Sequence, residues 1–389
     1  MNAVGYATRV TGICPHPDVI EAMAAASSRY VELDDLLHAA SNLIHECTGA
    51  EAGIITAGAS AALTLAAAAC LAGNSTEIMD QLPDVSNCPR SEIIFPATGP
   101  FDYDHAIRLS GARTVTIDYR SPDALQQIER AISARTAAIG YVWYGVTPVL
   151  DLAGLVELAH RYQLPVIMDG AFSMPPVDNL TRFIRMGIDL IAYSGGKHLG
   201  GPQASGILCG RADLIRSAWV QMVDMDVRNG TWSLQQWIAN GWIDRPPRHG
   251  IGRSMKVSKE SMIGLMKALE RYGQRDHQAE YDLWKKQIDQ IYDKVHHFDC
   301  LRFKRLETAM NGQPYPLLQI ESGMGPNGLK VRDLILGLRK LRKKILLAED
   351  EQTPDRAFLY SQCFLPGDAD YVASSIHQIV TSHLDRSHS

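Results

Sequence analysis

The stretch "YSGGKHLGGPQASGILCG", Tyr193 to Gly210, sets one lysine, Lys197, between two glycine pairs with an apolar segment on either side. Nothing in the surrounding helix or strand pattern calls for a charge there, and lysine is ordinarily a surface residue. Taken alone, Gly-Gly-Lys describes a solvated lysine in a flexible turn. The segments around it change that reading.

From about Glu51 to Gly210, short β-branched runs alternate with helical patterns, the mark of βα units and a mostly parallel sheet. The expected strands are "AGIIT", "EIIFP", "RTVTID", "AAIGYVWY", "PVIMD", "DLIAYS" and "GILCG". Several are apolar almost throughout, as strands covered on both faces should be. Helices are expected at Ala59 to Ala72, Pro122 to Ala134, Leu152 to Tyr162 and Asn179 to Met186. "GWIDRPPRHGIGRS" interrupts the alternation, and a long amphipathic pattern then runs from Lys259 to about Val295. Strands near "LRFKRLE", "PYPLLQIE" and "AFLYSQCF", with helices near Val331 to Arg339 and Asp368 to His383, complete a smaller α+β region. The fold class is α/β, with three expected parts: an N-terminal segment (1–50) packing on the active site, a large domain (51–258), and a helical linker with a small domain (259–389).

Composition is ordinary for a soluble globular protein. At 389 residues the chain exceeds the roughly 250–300 at which single cores stop growing. A net charge of -5 argues against a nucleic-acid partner, which needs clustered basic residues. The 7 cysteines are scattered, with no spacing that suggests a zinc or other metal site, and read as reduced thiols of a cytoplasmic protein. The N-terminus lacks the layout of a signal peptide. "AALTLAAAACLAG" is too short to span a bilayer and predicts a buried helix.

In an open parallel sheet, ligands sit beyond the carboxyl ends of the strands. Three segments reach that edge. In "TAGASAA" a strand turns into a helix, where Gly58, Ala59 and Ser60 offer backbone N–H groups and a hydroxyl to an anion. Asp169 ends "PVIMD", and Lys197 follows "DLIAYS", with Ser194 and His198 around it. An anion cradle, a carboxylate and a lysine outline a site for pyridoxal 5'-phosphate, which needs its phosphate held, its aldehyde joined to a lysine as a Schiff base and its ring nitrogen kept protonated. The spacing from Asp169 to Lys197 leaves room for one helix and one strand, which returns the chain to the same edge.

"SGGKHLGGPQASG" resembles the lysine motif of the selenocysteine synthase-like branch of fold type I pyridoxal phosphate enzymes, a branch that includes L-seryl-tRNA(Sec) selenium transferase and D-glucosaminate-6-phosphate ammonia-lyase. The similarity extends to "CTGAEAGIITAGASAALTLAAAACLAG", "YDHAIRLSGA" and "GIGRSMKVSKESMIGLMKALERY", covering roughly Thr8 to Tyr272. It implies Lys197 as the Schiff-base lysine, Asp169 as the pyridinium partner, and Gly58, Ala59, Ser60 and Ser194 as part of the phosphate cup. It also implies a homodimer or larger assembly with shared sites, in which Arg253 and Lys256, with Lys259 the weaker candidate, complete a phosphate or substrate site. Such folds stack an aromatic or imidazole on the cofactor ring, and "FDYDHA" offers Phe101, Tyr103 and His105 without a choice among them. No arginine of the C-terminal domain is identifiable as a carboxylate clamp, so Arg9 in "ATRVTG" is the substrate candidate.

A protonated pyridine ring weakens every bond to the substrate Cα, and the protein selects which one breaks by placing acids and bases. Lys197 is the natural proton carrier, with His198 beside it in sequence. The leading expectation is a lyase acting on a small amino acid or amino-sugar acid by elimination, with ammonia as a leaving product. The alternatives are an aminotransferase or racemase, a selenium transferase acting on aminoacyl-tRNA, and a cofactor-bound regulator without turnover. The acidic chain, and family-like sequence that already begins at "TRVTG", argue against the tRNA substrate.

Overall fold

The computed structural model describes residues 1–96, 103–324 and 327–387. It divides into two compact units, Pro15–Gln274 and Met1–Cys14 with Arg275–Ser389. Strand β1 (Asn2–Ala3) belongs to the smaller unit. The sheet of the larger unit is built from β2 (Ala52–Thr56), β3 (Glu92–Pro96), β4 (Arg113–Ile117), β5 (Thr136–Val142), β6 (Val166–Asp169), β7 (Leu190–Ser194) and β8 (Gly206–Gly210). These fall on the seven runs read as strands from the sequence.

The strand order is β2-β8-β7-β6-β5-β3-β4. Only β8 runs against the rest, pairing antiparallel with both β2 and β7. Every residue of β5 is buried, as a strand covered on both faces requires. Because β8 is reversed, its first residue, Gly206, lies in register with Thr56 and Ser194, the last residues of β2 and β7. Asp169 closes β6 opposite Ala192, so the strand ends that carry the candidate groups share one edge.

Helix α1 (Pro17–Ser27) starts with a proline in its first turn, where the missing N–H is no loss, and α2 (Leu33–Thr48) stops at Gly49 with φ 75°. Helix α3 (Ala59–Ala72) is buried on nearly all sides, since alanine and leucine leave it no polar face. The Lys259–Tyr272 helix packs against α1 and α2 in the larger unit. An Arg271–Asp18 ion pair joins it to α1, and a side chain at Gly264 would come within 2.7 Å of Met23 Cγ. Lys259 Nζ donates to the Ser27 and Arg29 carbonyls at the end of α1.

The boundary expected at 258/259 therefore lies elsewhere in the structure, after Gln274, and residues 1–14 group with the C-terminal part rather than with 15–50. The long amphipathic pattern is two helices, Lys259–Tyr272 and His277–Val295, each with its own N-cap, Ser258 and Asp276. In the smaller unit β9 (Leu301–Leu306), β10 (Leu317–Ser322), β11 (Leu346–Glu349) and β12 (Arg356–Tyr360) join β1 in the order β1-β11-β12-β10-β9. Helices His277–Val295, Val331–Lys340 and Asp368–Ser387 contribute to its core. Among the described residues, no helix is long and apolar enough to cross a membrane.

Candidate active site

The glycines around Lys197 are there because the chain is packed against itself. Gly195 N–H donates to the Ser205 carbonyl at 2.9 Å, Gly201 N–H to the Gly195 carbonyl at 2.8 Å, and Gly200 N–H to the Lys197 carbonyl at 2.9 Å. A Cβ on Gly196 would stand 2.6 Å from Gln203 Cα, one on Gly201 2.8 Å from Leu265 Cδ1, and one on Gly195 would overlap Ser205 Oγ. Glycine is the residue that lets backbones approach so closely. The result is a closed turn in which Lys197 is largely buried. Burial pushes its amine below the usual lysine range, and the Asp169 carboxylate opposes that shift.

Asp169 is 6% exposed. Its Oδ1 accepts the Ala171 N–H at 3.0 Å, while Gly170 N–H donates to the Ala192 carbonyl of β7 at 3.0 Å. A side chain at Gly170 would sit 3.1 Å from Ile191 Cγ2, tighter than the packing allows without movement. The loop beyond is tied down in turn. Ser173 Oγ donates to the Gly170 carbonyl at 2.8 Å, Asn179 Nδ2 to the Ser173 carbonyl at 2.7 Å, and the Tyr193 hydroxyl of β7 to the Asn179 carbonyl at 3.0 Å. This loop carries Phe172, whose ring centroid is 4.9 Å from Lys197 Nζ.

The third part is the start of α3. Gly58 adopts φ 134°, a conformation that favours glycine. The first internal bond of the helix runs from Ala62 N–H to the Gly58 carbonyl at 3.0 Å, so the Ala59, Ser60 and Ala61 amides have no acceptor within the helix. Gly206 lets this helix end press onto β8: a Cβ there would lie 2.5 Å from Gly58 C and 2.7 Å from Ala59 N. Open amides at a positive helix end, a buried carboxylate and a lysine of lowered basicity form the donor set that pyridoxal 5'-phosphate needs.

The remaining candidates are placed differently. Ser194 is half-buried at the end of β7. His198, expected among the catalytic groups, is 2% exposed and committed to the core: its Nδ1 lies 3.0 Å from the Tyr272 hydroxyl and the rings meet edge-on. Tyr103 is 54% exposed, and His105 is exposed beside Asp104. The short Asp104–Arg108 helix that holds His105 is fastened to α3 by Thr64 Oγ1, which donates to the Ala106 carbonyl at 2.8 Å. Phe101 lies outside the described residues.

Arg253, in the 3-10 turn Ile251–Met255, donates to Asp224 Oδ2 at 3.0 Å. The Asp226 amide, and then Arg253, hold the Asp224 carboxyl below the usual carboxylate range. Lys256 is exposed at the end of that turn. Arg9 belongs to the smaller unit and donates to the Leu347 carbonyl at 3.4 Å. Reading the sequence missed Phe172, Gly206 and Asp224. The first stands three positions after Asp169, but that spacing alone does not say that its ring meets Lys197.

Residues 18–223 match the family model described as SelA, L-seryl-tRNA selenium transferase. A 5'-C-glycyluridine monooxygenase-decarboxylase of Streptomyces sp is 31% identical over 281 residues, spanning 70% of this chain and 62% of that protein. The chain thus matches less than two thirds of that relative's length. D-glucosaminate-6-phosphate ammonia lyase of Salmonella typhimurium is 28% identical over 346 residues, spanning 87% of this chain and 84% of that protein. A solved structure of D-glucosaminate-6-phosphate ammonia-lyase has a TM-score of 0.80 at 26% identity and covers 98% of this chain and 96% of its own. The architecture is that of fold type I pyridoxal phosphate enzymes. With the family match running over more than half of its length, the chain belongs to the L-seryl-tRNA selenium transferase (SelA) family and is an enzyme that works with pyridoxal 5'-phosphate.

Proposed function

We propose that the chain is a lyase that removes the α-proton of a small amino acid or amino-sugar acid and then expels a β-substituent, with ammonia as a product. The observation that carries this reading is the Lys197–Asp169 pair. A largely buried lysine of lowered basicity feels a buried carboxylate from the neighbouring strand end. In this reading the bound cofactor supplies an aldehyde carbon for Lys197 and a ring that draws electrons from the substrate.

The chain's own residues do the rest. The open amides of Ala59 and Ser60, with Gly58 and the Ser194 hydroxyl beside them, would hold the phosphate, and Asp169 would keep the ring nitrogen protonated through a charge-assisted hydrogen bond. Lys197, once its nitrogen is free, would take the proton from substrate Cα, a role that burial, which disfavours the charged amine, suits it to. His198, buried with its Nδ1 on the Tyr272 hydroxyl, is given no role in this scheme. Arg253 and Lys256 read a substrate anion, in a homodimer whose sites are shared.

The names of the two relatives set the test, because one is an ammonia lyase and the other a monooxygenase-decarboxylase. Amino acids and amino-sugar acids are screened for decay of the visible absorbance of the loaded enzyme. Ammonia, oxo product, carbon dioxide and oxygen uptake are then measured on each hit. Ammonia and oxo product in equal amounts, without carbon dioxide, is the expected result. Carbon dioxide with oxygen uptake, or amine transfer to an oxo acid, would overturn it. Salt-sensitive binding that selects serine tRNA in a parallel titration would also overturn the small-molecule assignment.

A further inference from the structure

The loop that leaves Asp169 brings an aromatic ring to Lys197. Phe172 lies with its ring centroid 4.9 Å from Lys197 Nζ, inside the roughly 6 Å at which an ammonium is drawn to a ring face. Phe172 is 40% exposed, yet its backbone is fixed on both sides. Ala171 N–H is held by Asp169, Ser173 is bonded to Gly170 through both its amide and its hydroxyl, and Asn179 holds the Ser173 carbonyl. The backbone that carries the side chain is therefore held, although the side chain is not packed into the core.

Phe172 has neither a proton to give nor a lone pair to offer. It acts on Lys197 only through its ring face and by excluding water from one side. The charged group that acts on the amine from the neighbouring strand is Asp169. On the lysine's own turn, His198 is turned to Tyr272 and Ser194 is neutral. Burial works against a charge on Nζ, so a π face beside it offsets part of that cost in the protonated form alone.

We propose that Phe172 is a positioning residue for Lys197, its ring fixing where the lysine nitrogen rests and favouring the form that carries a proton. This deepens the reading above and rests on it. When Lys197 takes the substrate α-proton, the bonding pair stays with the substrate carbon and the amine becomes an ammonium facing the ring. Reprotonation reverses both changes. An aliphatic side chain of similar bulk would fill the space but leave the ammonium unassisted.

The test uses the loaded full-length enzyme, with the pH midpoint of its visible band and the pH profile of substrate α-hydrogen exchange as readouts. Phe172→Leu is expected to lower the midpoint by about half to one and a half pH units. Exchange should slow severalfold, while KM changes by less than about twofold. Phe172→Tyr is expected to restore both. Replacement of Phe172 by pentafluorophenylalanine keeps the shape and reverses the electrostatics of the ring face, so it should move the midpoint at least as far as leucine does. If Phe172→Leu fails to hold the cofactor, the fluorinated ring alone decides. A midpoint indifferent to fluorination would overturn the inference and leave the Lys197 reading intact. A wild-type enzyme without a visible band, or with borohydride fixing the cofactor on another lysine, would instead overturn the reading beneath it.

Discussion

Two glycine-rich basic turns in the larger unit, "SGGKHLGG" and "GIGRSMK", look alike in sequence and do opposite things with their charge. Both are packed backbone to backbone or backbone to core. A Cβ on Gly196 would stand 2.6 Å from Gln203 Cα, one on Gly250 2.6 Å from Gln221 Cα, and one on Gly252 2.6 Å from Leu65 Cδ2 on α3. In the first turn the lysine is carried inward, to Asp169 and Phe172. In the second, Arg253 pairs with Asp224 at the surface and Lys256 stays in solvent. Glycine packing fixes the path of the chain, while the loss of water around the side chain decides whether a charge becomes chemistry. A charge withdrawn from water acts strongly on its neighbours, whereas one in solvent is screened.

That contrast fixes the order of expected effects. Lys197→Ala should abolish the covalent link, remove the visible band at about 410–430 nm and eliminate nearly all turnover. The buried amine also carries a pH signature in the cofactor-free protein. Its basicity is lowered in the folded state, so folding bears a cost while the native group is charged. That cost disappears as pH rises from the native midpoint towards the ordinary lysine value of about 10.4. Lys197→Met should therefore raise the melting midpoint near neutral pH and lose that advantage in alkali. Equal gains at both pH values would show that the inward lysine bears no such cost.

Asp169→Ala should still bind cofactor and cut turnover by about 10²–10³-fold, with Asp169→Glu keeping more activity. Normal turnover would reduce Asp169 to a structural cap on the Ala171 amide. Gly206→Ala tests the packing half of the comparison, since its methyl would meet the backbone of Gly58 and Ala59. Overpacking of this kind costs about 1–3 kcal/mol. Cofactor affinity should fall with stability, and a loss of stability at unchanged affinity would separate the helix end from the site.

The surface turn should yield least. Arg253→Ala should cost stability by about 0.2–1 kcal/mol, the range for exposed ion pairs. Its effect on KM should be moderate and should vanish with salt. Mixing inactive Lys197→Ala chains with Arg253→Ala chains should return KM towards the wild-type value in the hybrid sites if a partner supplies the arginine. A monomeric, fully active enzyme would break that expectation.

The inward turn was legible in the sequence because its meaning is local. Strands such as Thr136–Val142 announce themselves as unbroken apolar runs, and Asp169 and Lys197 follow from standing at the ends of such runs. The rest depends on partners that no spacing reveals. Helix α1 takes its packing from the Lys259–Tyr272 helix far along the chain, and the two-residue β1 becomes strand only by meeting β11. His198 is next to Lys197 in sequence, yet it leaves the turn for Tyr272. Phe172 is mute as a letter, because an aromatic in a turn acquires a role only from the ammonium that faces it.

Helix α3 carries one more consequence. With almost no face open to water, it cannot open on its own, so the three amides at its start are locked to the largest cooperative unit around them. Occupancy of that helix end is then a global variable of the larger unit. Cofactor at about 100 times its Kd should deepen the folding free energy by roughly 2.7 kcal/mol. Amide hydrogen exchange along the whole of α3, as far as Ala72, should slow together rather than only in the first turn. Protection confined to residues 59–61 would mean that the helix yields piecemeal, and that the cradle is softer than its burial implies.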